Sequence, residues 1–99
     1  MTILEIFKSR LPEGLEIIKV KERYCKTDVT LRCRSITHLS SIPKMCVPGD
    51  EEYLCDVEIC NVMMVIAVKK KDNGMFKLWM QKQQELIFSH HSNSPNGVY

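Results

Sequence analysis

Five cysteines and three histidines are the residues of this 99-residue chain best equipped for covalent or metal chemistry. A nucleophilic thiol needs a base beside it and a third group to orient that base. Cys25, Cys33, Cys46, Cys55 and Cys60 are the candidate nucleophiles, and His38, His90 and His91 the candidate bases. Cys33 falls on the apolar side of an alternating run, where a buried thiol stays protonated and inert. A structural zinc site needs about four converging ligands. No C-x-x-C pair occurs, Cys55 and Cys60 have opposite strand parity, and Cys25 and Cys33 flank a hairpin instead of clamping a knuckle. Five is odd, so a closed disulfide framework would leave one thiol over, and reduced cysteines are expected. Gly14, Gly49, Gly74 and Gly97 are dispersed, without the spacing of a phosphate-cradling loop. The expectation is a non-enzymatic protein with no metal, no cofactor and no evident small-molecule substrate.

Charge offers a different chemistry. The net charge of +2 is too small to imply nucleic acid, but it is unevenly spread. Six basic residues against Glu22 and Asp28 give residues 19–34 a balance of +4. Five lysines against Asp72 give residues 69–82 the same, and five acids make residues 50–58 a −5 stretch. These are either solvated faces or a bipolar surface whose basic side meets a polyanion. Binding to single-stranded nucleic acid wants cations beside an aromatic face. Lys19, Lys21, Arg23, Arg32 and Arg34, with a Lys69, Lys70 and Lys71 tip and Lys77, would supply the cations. Phe76 or Trp79 would supply the ring. On a strand only Trp79 can share a face with Lys77; in the plainer alternative Trp79 is core and the lysines protect a hairpin end.

The elements that must position these groups follow from periodicity. "TILEIFKSRLPEG" reads as a short helix with Thr2 and Glu5 at capping-box spacing, Ile3, Phe7 and Leu11 on one stripe, and Pro12 and Gly14 as the stop. Next comes a strand with Ile18, Val20 and Tyr24 on one face and Lys19, Lys21 and Arg23 on the other. A second strand places Val29, Leu31 and Cys33 inward and Thr30, Arg32 and Arg34 outward, with residues 25–28 as the hairpin loop. Paired, the two strands bring like charges together, so the cations must stagger or hold an anion.

Residues 35–49 lose all periodicity and read as a crossover with a helical turn anchored by Ile36, Leu39 and Ile42. Residues 50–68 admit two readings. Asp50, Glu51 and Glu52 at one end and lysines at the other suit a helix dipole. On a helix, however, Asp56, Glu58 and Asn61 scatter around the axis, while as a strand Tyr53, Cys55, Val57 and Ile59 share a face in a Val- and Ile-rich run. The expectation is a long bent strand, turned by "KDNG" into a partner strand "MFKLWMQK". Residues 83–89 could extend that strand or form a last helix.

The sum is an α+β domain over residues 1–91, an N-terminal helix packed on an antiparallel sheet of about four strands, with a flexible tail at 92–99. Apolar residues on both faces of the 57–80 hairpin exceed what one short helix can cover. Met63, Val65, Met75, Phe76, Leu78, Trp79 and Met80 are therefore the expected protein interface. The expected function is a small protein-interaction module that associates with itself and acts as an accessory or inhibitory regulator by occupying a partner surface. An RNA- or DNA-binding domain built on the basic residues is the alternative. "MTILEIFKSR" lacks a secretory pattern and no apolar run reaches membrane-spanning length, so a cytoplasmic protein is expected, with nuclear entry left open by the lysine triplet.

Overall fold

The capping box at the N-terminus forms as its spacing dictates. In the computed structural model, which describes residues 2–92, Thr2 Oγ1 accepts from the Glu5 backbone N–H and the Glu5 carboxylate accepts from the Thr2 N–H at 2.8 Å. This starts α1 (Ile3–Ser9), which buries Ile3 and Phe7. Gly14, at φ +89°, then turns the chain into a three-stranded antiparallel sheet in sequence order, β1 (Glu16–Glu22), β2 (Lys26–Cys33) and β3 (Ile36–Pro43). Two long helices follow, α2 (Glu51–Lys70) and α3 (Asn73–Ser92). The architecture is α+β with three strands, and the expected fourth is absent from the described residues. Of the expected tail at 92–99, Ser92 ends α3 and the rest lies outside the described residues.

One strand was hidden in the apparent crossover. β3 alternates strictly in burial, but its inward positions include His38 and Ser40, while Leu39 points outward and is 62 % exposed. Polar residues on the buried side and an apolar one on the wet side erase the hydrophobic period. The chain tolerates this because the Ser40 hydroxyl donates to the Glu58 carboxylate on α2. β3 is joined to β2 by Arg34–Ser35, with Arg34 at φ +57°.

Residues 51–70 form a helix, so the expected long strand and its 57–80 hairpin do not exist. Cys55, Ile59, Val62, Met63 and Ile66 make a stripe at helical spacing that meets Ile3 and Phe7 of α1 and Val29, Leu31, Cys33 and Ile42 of the sheet in one core. The scattered polar residues each have a tertiary partner on a different neighbour. Asp56 accepts from Arg10, Glu58 from Ser40, and Asn61 from Gln83 of α3 at 2.6 Å. A helix surrounded on several sides has no need of a single polar face, and the Val and Ile content reports burial more than strand.

"KDNG" is likewise a helix–helix junction. Lys71 stands in the left-handed conformation (φ 59°, ψ 38°), its N–H donating to Val68 O while that of Asp72 donates to Ala67 O. This is the Schellman pattern that closes a helix. Asp72 then caps α3, its side chain accepting from the Met75 N–H at 3.0 Å. α3 packs back along α2, so the second apolar face of residues 57–80 is covered by this chain's own C-terminal helix.

Candidate functional site

The predicted interface residues separate by depth. Met63 is core, only 6 % exposed, and therefore cannot meet a partner. Val65, Phe76 and Met80 are half-buried, and Met75 and Trp79 pack part of their surface against the core. Leu78 alone of the set is largely open. Sequence reasoning missed Phe88, 73 % exposed on α3, because residues 83–89 had no assigned element.

Where α2, α3 and the end of α1 meet, a groove of about 430 Å³ opens to solvent. Ile59, Cys60, Trp79 and Leu86 give it an apolar lining, and Arg10, Asp56, Lys82, Glu85 and Ser89 a polar rim. Arg10 holds Asp56 through two nitrogens and reaches Glu52 at 3.3 Å, which fastens α1 to α2 at one end. The neighbouring Asp56 carboxylate holds the Arg10 guanidinium more firmly protonated than usual. Lys82 Nζ lies 4.6 Å from the Trp79 ring centroid, a cation–π contact on the groove wall. Burial raises the Cys60 thiol above its ordinary range, so it serves as an inert part of the lining.

The basic residues fall into two groups. On the sheet face turned away from α2, Lys19, Lys21 and Arg23 line one shallow depression with Asp28, Thr30 and Leu39. The cations stagger, as one of the two expected solutions required: Lys19 pairs across the ladder with Thr30, Lys21 with Asp28, and Arg32 with Glu16. Arg23 is ion-paired to buried Asp28, and Arg32 to Glu16 at 2.6 Å. Lys19 and Lys21 take part in no ion pair among the described residues. Of the expected inward row of Ile18, Val20 and Tyr24, Val20 keeps its place opposite buried Val29, while a bulge between Ile17 and Lys19 displaces Ile18. Ile17 takes the inward place opposite Leu31, and Tyr24 stands fully exposed beyond the strand.

The second group gathers at the other end of the sheet. Lys69 Nζ donates to Thr37 O at 3.0 Å, and Lys70 Nζ lies 3.6 Å from Cys33 Sγ, so the end of α2 sits over the β2–β3 turn that carries Arg34. Lys71 closes the helix, and Lys77 lies on α3. Trp79 lies in the groove wall under Lys82, apart from the sheet cations, so the expected lysine–tryptophan platform is not assembled.

The cysteines and histidines are dispersed. Cys55 donates to Ile3 O at 3.6 Å, and its thiol is pushed up to about 11, chiefly by burial. His90 stacks on Tyr53 with ring centroids 3.8 Å apart, which ties the end of α3 to the start of α2. Among the described residues no three histidine, cysteine or acidic side chains converge as a metal site, and no helix is long and apolar enough to cross a membrane. In comparisons with known proteins, no family model, no curated protein and no solved structure matches the chain.

Proposed function

We propose that this protein is a non-enzymatic interaction module that associates with itself through α3 and acts as an accessory or inhibitory regulator by occupying a partner surface. The observation that carries this is the groove beside an uncovered Phe88. An open, apolar-lined groove with a few polar groups on its rim is the usual form of a binding site. Its α3 wall is self-complementary in order. Trp79 and Lys82 precede the point between Gln83 and Gln84 by the same offsets at which Phe88 and Glu85 follow it. A two-fold axis through that point sets Lys82 of each copy against Glu85 of the other and brings Phe88, which adjoins Glu85 and Ser89, to the edge of the contact.

Light scattering over a concentration series tests this. The wild-type chain is expected at twice the mass of one protomer at high concentration. Phe88→Asp and Glu85→Lys should each give monomers, and Lys82→Glu combined with Glu85→Lys should restore the dimer by swapping the charges. A wild-type protein that stays monomeric throughout, or a dimer indifferent to both single changes, would overturn the proposal.

A further inference from the structure

A second surface, on the opposite layer from α3, has the chemistry of a different partner. We infer that the outer face of the sheet along β1 binds single-stranded nucleic acid, with Lys19, Lys21 and Arg23 on the phosphates and Tyr24 stacking against a base. Alternate residues of a strand recur on one face at about 6.7 Å, two steps of the strand rise. Lys19 and Lys21 therefore stand one such repeat apart, close to the spacing of successive phosphates on a stretched single strand, and Arg23, just past the end of β1, lines the same depression. The bulge at Ile17–Lys19 puts this row on the outer face and frees it from the core.

The depression beside the row offers Thr30 as a hydroxyl partner and Leu39 as an apolar floor, wide open at 62 % exposure. Tyr24, the next residue after Arg23 in the β1–β2 turn, leaves its ring wholly in solvent at 101 % exposure. Cations in a row ending on an exposed aromatic are the two requirements for gripping an unpaired strand without reading its sequence. Asp28 also faces the depression, but its carboxylate is engaged by Arg23 and Ser41 and orients the Arg23 guanidinium. Lys19 and Lys21 make no ion pair among the described residues. An anionic membrane would want an apolar wedge among the cations, and the single Leu39 is a poor one. This surface shares no residue with the α3 groove, so it stands or falls apart from self-association.

Fluorescence anisotropy of a labelled oligouridylate and of oligothymidylate, at rising salt, tests the inference. Binding is expected for both, weakening with salt because phosphate contacts release counterions. Lys19→Glu with Lys21→Glu should lower the affinity at least roughly tenfold and reduce the log–log salt slope by about 0.7 for each cation removed. Tyr24→Ala should cost roughly fivefold or more, with circular dichroism unchanged because all three side chains are exposed. Three results would overturn it. The wild type binds neither oligomer at low salt, or it binds phosphatidylserine vesicles in their place. Alternatively, the Lys19/Lys21 variant keeps its affinity while Lys69→Glu, Lys70→Glu and Lys71→Glu together remove it, which would move the site to the α2–α3 end.

Discussion

Cys55 shows at the level of one residue how burial decides chemistry. Its thiol is 1 % exposed, meets the Ile3 carbonyl on α1, and is held protonated far above neutral pH by loss of hydration and by nearby Asp56. Only the thiolate attacks an alkylating agent. Cys25, on the exposed β1–β2 loop, has no such shelter. Iodoacetamide at neutral pH should therefore modify Cys25 quickly in the native protein, whereas Cys33, Cys55 and Cys60 should react only after denaturant is added. Peptide mass spectrometry against time reads this directly. Native-state labelling of Cys55 at the rate of Cys25 would mean that α1 does not stay docked.

At the scale of elements, the junction between α2 and α3 is the most informative local structure. A non-glycine residue in the left-handed region carries a steric cost of about 1–2 kcal/mol between its Cβ and the following carbonyl. Lys71 carries that cost while closing α2. Lys71→Gly should thus raise stability by up to about 1 kcal/mol, seen as a higher urea midpoint at unchanged slope. Asp72→Ala should lower it by about 1 kcal/mol, since the first turn of α3 loses the acceptor for the Met75 N–H. If the segment were a strand hairpin, neither change would act in this way.

The same junction explains which parts of the fold could be read from sequence. Elements whose two faces differ were legible: the capping box and Ile3–Phe7 stripe of α1, and the inward row Val29, Leu31, Cys33 of β2. Elements whose faces are disguised were not. β3 hides because His38 and Ser40 face inward, each tolerable only through tertiary surroundings. α2 hides because apolar residues meet the sheet on one side and α3 on another, so no period dominates. The dipole-compatible ends of residues 51–70 were the better guide, because end charges act locally and need no knowledge of what packs on the middle. For the candidate sites, the cations of β1 were found by their alternation. The groove could not be, since it exists only where three elements meet, and Tyr24 was placed on a strand face because the end of β1 at Glu22 was not seen.

For the whole molecule, the ionisable groups whose charge the fold favours or disfavours make stability depend on pH in a definite order. His38 has its pKa lowered from the ordinary 6.5, first by burial and then by Lys69, with Glu58 partly offsetting. A base whose folded pKa is lowered takes up its proton more readily in the unfolded chain. Its contribution is therefore complete above about pH 6.5, falls as the pH drops below that value, and levels off once the folded histidine is protonated too. Three carboxylates give a second decline at lower pH. Asp28 is held low by Arg23 and Ser41, Glu22 by Lys44 and Thr27, and Glu5 by the Thr2 backbone and hydroxyl. Each contributes stability above its unfolded pKa of about 4 and loses it as the pH falls through the folded value. Urea midpoints from about pH 8 down to about pH 3 should trace two successive descents. His38→Gln should remove the first descent and leave the second. Asp28→Asn should start lower at neutral pH, fall less steeply in acid, and converge on the wild type at the acid end. A wild-type curve flat between pH 8 and about pH 5, unchanged by His38→Gln, would show that His38 is as well hydrated in the folded chain as in the unfolded one.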